Sequence, residues 1–186
     1  VVDYLDAAFA RIWTLNEKEN ILELQASAGV YTHIDGSHSR IPVGKFKIGR
    51  IAQERKPHLT NSIFDDEYIS DKDWAKREGM VSFAGYPLIV EGHLVGVIAM
   101  FACKPLTEFT TRALASVSDI IALGIDRKQS EEALRLSEGK YRMLIENLPQ
   151  RIFYKDNDSR YVSCNENYAK DLKIRPDEIV GKTDYE

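Results

Sequence analysis

The chain is short of several things, and each shortage narrows what it can be. Two cysteines in 186 residues, Cys103 and Cys164, fit neither a disulfide scaffold nor a zinc cluster, and a reducing cytoplasm is the expected setting. Long hydrophobic runs are missing too. The longest, Leu94 to Cys103, is ten residues with Gly96 inside it, about half of the ~20 that cross a bilayer, so no membrane span is expected. No basic segment followed by an apolar stretch opens the sequence, and no signal peptide is expected. Nor does either charge predominate: 25 Lys and Arg face 29 Asp and Glu. That balance cannot neutralise a phosphate backbone, which argues against nucleic acid as a partner. Gly-rich phosphate loops, paired histidines and Cys-His adjacencies are all missing, so the chain is expected to be non-catalytic and to hold no metal.

What is present suffices for a folded protein. With 44% hydrophobic and 10% aromatic residues a sizeable core can form, and the length allows one large domain or one domain plus part of another. Strand signals dominate the first part. Phe9, Arg11, Trp13 and Leu15 alternate with Ala10, Ile12 and Thr14. A polar turn from Asn16 to Asn20 follows, then a strand with Leu22, Leu24, Ala26 and Ala28 on one face. A second hairpin joins Phe83 to Val90 with His93 to Cys103 through Glu91-Gly92, a pair suited to a tight turn. Its second strand is apolar on both faces and is expected to be central, covered on each side.

Residues 30–82 between the hairpins form a long connection with two short helix signals. One runs from Gly49 to Lys56 and stops at Pro57. The other starts at Ser70-Asp71-Lys72-Asp73, passes Trp74 and closes at Gly79. The aromatic and histidine content of this connection marks it as ordered and functional. Its Asp65, Asp66 and Glu67 read as an acidic solvated loop.

From Thr107 to Asn147 the pattern is helical, a helix ~60 Å long at 1.5 Å per residue. Val117, Ile120, Leu134, Tyr141 and Ile145 fall near heptad spacing and offer a seam for a homodimeric coiled coil, interrupted by Arg127, Glu131 and Glu138. The alternative stays open that Val117 to Ile125 packs on the domain's own sheet and the rest, from about residue 126, is a solvated linker. After Pro149, short strands at 151–155 and 160–164, a helix at 166–172 and a second helix at 175–181 with Pro at its start and Gly at its end read as the start of a second domain.

Two family resemblances follow from these residues. Phe9-Ala10-Arg11-Ile12-Trp13, Leu24 to Gly29, Gly49 and Ile51 before Pro57, and Gly85-Tyr86-Pro87-Leu88 through Gly96-Val97-Ile98-Ala99-Met100 resemble a GAF domain of bacterial sensor histidine kinases, over residues 1–128. Ser137-Glu138, Tyr141-Arg142, Leu144 to Pro149, Asp156, Asn165 and Gly181 resemble the entry to a PAS domain, placed at 148–186. The resemblance implies an α+β fold: a central antiparallel sheet flanked by helices, a long C-terminal signalling helix over 107–147, and an incomplete PAS-like segment. It also implies a cytoplasmic sensory unit of a two-component histidine kinase, passing a signal to downstream domains of the same chain, with a ligand-free dimerisation spacer as the alternative.

Any ligand is expected under the 30–82 connection. Trp13, His33, His58, Asn61, Trp74 and Tyr86, which combine apolar bodies with polar tips, are the expected contacts for a small molecule. No cofactor is expected. A covalent bilin is excluded from 30–82 because that segment has no cysteine. Haem is disfavoured because His33, His38, His58 and His93 are isolated from one another. Arg50, Arg55 and Lys56 could receive an anion or form a charged outer face.

Overall fold

Alternation in the sequence becomes two long hairpins in the computed structural model, in which residues 2–69 and 71–186 are described. After a short helix α1 (Val2–Leu5), β1 (Phe9–Asn16) pairs with β2 (Ile21–Gly29), and β5 (Ser82–Val90) with β6 (His93–Ala102). The tight turn expected at Glu91-Gly92 forms with φ of 50° and 82°, the left-handed pair that matches strand twist. Two three-residue strands complete the sheet, β3 (Arg40–Pro42) and β4 (His58–Thr60). The order is β3-β2-β1-β6-β5-β4 with antiparallel pairing throughout. β6 is therefore central, and every residue from Leu94 to Met100 is buried. The two edge strands lie inside the connection expected to be loop, because three residues are too short to display alternation.

One strand departs from simple alternation. β1 and β2 slip register between Ile12 and Trp13, so that Trp13 faces Leu24 and Ile12 faces Ala26. Gln25 is the extra residue of a bulge. Leu24 and Ala26 therefore lie on opposite faces, against the expectation of one shared face, and Ser27 moves opposite Arg11.

The described residues separate between Lys128 and Gln129 into two units. In the first, each sheet face carries its own core. One contains Trp13, Leu22, Ile41, Ile51, Phe83 and Val97 and is closed by α2 (Phe46–Glu54) and α3 (Lys72–Arg77). α2 begins and ends earlier than expected; Arg55 turns left-handed at φ 53° and its N–H returns to the carbonyl of Ile51. Gly49 lets this helix approach β3, since a Cβ there would stand 2.3 Å from the carbonyl oxygen of Pro42. α3 is capped by Asp71, whose carboxylate accepts the N–H of Trp74 at 2.8 Å; the capping role expected of Ser70 lies outside the described residues. The opposite core contains Ala84, Leu88, Ile98 and Met100 and is covered by Leu114 and Ala122 of α4 (Glu108–Asn147). Thr107 Oγ1 accepts the N–H of Thr110 at this helix's start. The sheet is thus packed by Leu114, Ser118 and Ala122, with Ile121 and Ile125 partly buried. Ile120 is 69% exposed, and Leu134 and Tyr141 are 62% and 65% exposed.

The second unit contains β7 (Phe153–Lys155), β8 (Tyr161–Cys164) and α5 (Glu166–Leu172) around Tyr161, Cys164, Ala169 and Ile179. Fully buried Asn165 organises it. Its side-chain amide donates to the carbonyls of Ile145 and Gln150 at 3.2 and 2.8 Å and accepts the N–H groups of Ile152 and Tyr168 at 3.0 and 3.1 Å. All four of its hydrogen-bonding positions are used. The Pro176–Glu178 segment is a single 3-10 turn rather than the longer helix expected, and among the described residues no helix is long and apolar enough to cross a membrane.

Candidate functional site

The strand pattern that buries Phe9 and Trp13 puts Arg11 on the same face, because residues two apart on a strand point the same way. That face, the long connection and the two short helices enclose a cavity of about 380 Å³. β1 contributes Phe9, Arg11 and Trp13; the connection contributes Tyr31, His33 and His38; α2 and the segment after it contribute Phe46, Lys47 and Tyr68; α3 contributes Trp74; the hairpin β5–β6 contributes Phe83, Ala99 and Phe101. The aromatic walls are ordered against one another. Phe9 stacks on Phe101 with centroids 5.1 Å apart, and Trp74 meets both edge-on at 5.9 and 5.3 Å.

Most polar groups around the cavity already have partners. Trp13 Nε1 donates to the carbonyl of His38 at 2.9 Å, and Trp74 Nε1 to the hydroxyl of Tyr31 at 3.0 Å. Ser27 Oγ donates to the carbonyl of Tyr31 at 2.6 Å and accepts from Arg11 Nε at 3.1 Å. Lys47 Nζ lies 3.8 Å from the Phe83 ring centroid and 2.5 Å from Asp66 Oδ2. The same carboxylate oxygen holds His58 Nε2 at 2.8 Å, while Oδ1 accepts the N–H of Tyr68 at 2.9 Å.

Asp66 is consequently not part of a solvated acidic loop: its side chain is 4% exposed. Burial works to raise its pKa, but the hydrogen bonds from Lys47, His58 and Tyr68 outweigh burial and hold the carboxyl below the usual carboxylate range. Burial pushes the Lys47 ammonium down, and Asp66 opposes the shift. At the rim, desolvation and then the charge of Arg11 hold the His38 imidazole below its ordinary value. Burial also lowers Arg11.

Of the contacts expected from sequence, the cavity brings together Trp13, His33 and Trp74. His58 lies behind its wall on Asp66. Asn61 instead exchanges hydrogen bonds with the backbone of Leu106, donating to its carbonyl and accepting its N–H, and Tyr86 donates from the opposite face of the sheet to the carbonyl of Thr111. Arg11 and Lys47 are lining residues that the sequence reading passed over, although a cation between Phe9 and Trp13 on an apolar strand face was a usable signal. Arg50 lies over the Tyr68 ring at 4.6 Å and Arg55 donates to the carbonyl of Gly92, both exposed. Neither cysteine lines the cavity: Cys103 is exposed and Cys164 is buried in the second unit.

Residues 1–126 match the GAF domain family. No curated protein matches the sequence. Among solved structures, the chain is similar to the GAF domain of a phosphoenolpyruvate-protein phosphotransferase from Coxiella burnetii, at 16% identity and a TM-score of 0.62, with 71% of this chain and 79% of that one covered. It is also similar to the A. aeolicus nlh2 GAF domain in an inactive state, at 17% identity and a TM-score of 0.56, covering 68% and 78%. A third likeness is to free methionine-R-sulfoxide reductase from Neisseria meningitidis in complex with its substrate, at 14% identity and a TM-score of 0.53, covering 69% and 74%. At such identities these likenesses establish the fold.

Proposed function

Since the chain belongs to the GAF domain family, we propose that its first unit is a non-catalytic sensor of a cytoplasmic signalling protein, in which a small molecule occupies the cavity and α4 carries the consequence onward. The observation that carries this reading is the two-sided use of one sheet: the cavity opens on the face of Phe9, Trp13 and Phe101, while Leu114, Ser118 and Ala122 of α4 are buried on the other side. An occupant that favours one packing of the sheet biases α4 by its differential affinity for the two packings. The absence of cysteine from the cavity wall supports binding over thiol chemistry.

In this reading residues 1–128 are the GAF domain, 107–147 the signalling helix with its linker from about 126, and 148–186 a PAS-like segment, and the parent protein is a two-component sensor histidine kinase. The exposed Ile120, Leu134, Tyr141 and Ile145, with half-buried Val117, supply a homodimer seam along α4. Native mass spectrometry of the purified chain, repeated on a Leu134→Glu variant, tests both parts. The reading expects a dimer that Leu134→Glu weakens and a mass increment that disappears on denaturation. A bare monomer, or a dimer indifferent to the substitution with nothing bound under any condition, contradicts it.

A further inference from the structure

We propose that the occupant of the cavity is a small aromatic monocarboxylate, seated with its carboxylate on Arg11. The inference rests on the reading of the cavity as a ligand site and narrows it to a chemical class. A guanidinium carries five N–H donors, and Arg11 uses one, Nε, on Ser27. Among the described residues its other N–H groups have no hydrogen-bond acceptor and no carboxylate lies within ion-pair distance. The guanidinium carbon lies instead 5.5 Å from the Phe9 ring centroid and 5.9 Å from that of Tyr31. A cation held between two rings and facing a partly desolvated space is a poor arrangement for packing alone and a good one for receiving an anion.

The rest of the wall sets the charge, shape and size of that anion. Lys47 is already neutralised by Asp66 at 2.5 Å, and the Asp71 carboxylate, which also lines the cavity, caps Trp74. Among the described residues Arg11 is therefore the one lining guanidinium or ammonium without a carboxylate partner, which suits one carboxylate and is short of what a phosphate dianion needs. Phe9, Trp74 and Phe101 offer ring faces and edges for a flat apolar body. Tyr31 accepts from Trp74 but keeps its own hydroxyl hydrogen to donate. At ~30 Å³ per water the cavity corresponds to about a dozen waters, hence to an acid of about a dozen non-hydrogen atoms rather than a nucleotide.

Both tryptophans of the chain, Trp13 and Trp74, line the cavity, so intrinsic fluorescence reports occupancy directly. Phenylacetate and its neutral isostere phenylacetamide are titrated against the full chain. The expected result is binding of the acid at least roughly tenfold tighter than the amide, the margin of a charge-assisted hydrogen bond. Arg11→Gln is expected to abolish the preference while leaving weak amide binding. The comparison of acid with amide in the unaltered chain needs no variant, so misfolding of Arg11→Gln does not blunt the test. Equal affinity for acid and amide, or an acid preference that survives in a folded Arg11→Gln, overturns the assignment to an anion and leaves the sensing reading standing. Failure of both probes to alter the fluorescence at millimolar concentration overturns it as well. Tight acid binding without any response in α4 upholds the assignment and overturns the sensing reading.

Discussion

Replacing Asp66 by Ala removes the acceptor of Lys47, His58 and the Tyr68 N–H in one step. Lys47 bears the consequence, because its side chain is 8% exposed and packed on Phe83. Breaking a buried ion pair by removing one partner costs about 3–5 kcal/mol, whereas replacing both partners by apolar groups of similar volume is close to neutral. Asp66→Ala is therefore expected to lose ~3–5 kcal/mol and the double variant Lys47→Met/Asp66→Leu to lose about 1 kcal/mol or less. His58, whose side chain is 31% exposed, can turn to water in either case. The assay is denaturant unfolding followed by tryptophan fluorescence, which reports the first unit alone since both tryptophans lie there. The pH dependence provides a second check. Asp66 has a folded pKa below its ordinary 3.8, so its contribution is complete above that pH and disappears as the pH falls through the lower folded value. The gap between wild type and Asp66→Ala should close in that acid window. It should also narrow in the alkaline range below 10.5, where Lys47, already pushed down by burial, sheds its proton more readily without Asp66. A loss under ~1 kcal/mol for the single variant, or a double variant as unstable as the single one, would refute the reasoning.

Further outcomes are expected for four variants. Gly49→Ala places a Cβ 2.3 Å from the Pro42 carbonyl oxygen and should cost about 1–3 kcal/mol, while Gly139→Ala, with nothing within 4 Å in the middle of α4, should gain about 0.5–1 kcal/mol; a chemical denaturation series compares them. Arg11→Gln should raise the His38 pKa in an NMR titration without restoring the ordinary 6.5, because burial, the larger cause of its depression, remains; an unchanged value would contradict this. Asn165→Leu removes four hydrogen bonds at the hub of the second unit and leaves the Gln150 carbonyl and the Ile152 N–H without their side-chain partner, and hydrogen exchange should show residues 150–169 losing protection while β5 and β6 keep theirs.

The legible parts of this structure are those whose cause is local. Alternation marks β1, Glu91-Gly92 marks its own turn, and a strand apolar on both faces declares that both are covered, which β6 is. Gly79 marks where α3 stops, whereas α2 ends at Glu54, ahead of the stop that Pro57 suggests. The bulge at Gln25 has no local mark, and it alone sends Ala26 away from Leu24 and brings Ser27 to Arg11. Lys47 and Asp66 are 19 residues apart, one on a helix and one in an acidic stretch; nothing in either neighbourhood reveals that the fold buries them together. His58, Asn61 and Tyr86 fit the chemistry of a ligand contact, yet tertiary placement gives each another partner. Trp13, His33 and Trp74 differ only in that the connection folds back over the β1 face.

The central claim, that occupancy of the cavity is passed to α4, is tested most directly by hydrogen–deuterium exchange on the full chain with and without saturating phenylacetate. The account expects protection to rise in the cavity segments around residues 9–13, 31–38 and 68–75 and, at the same concentration of acid, exchange to change across residues 108–128 of α4. Protection confined to the cavity, with α4 exchanging at the same rate throughout the titration, would contradict it.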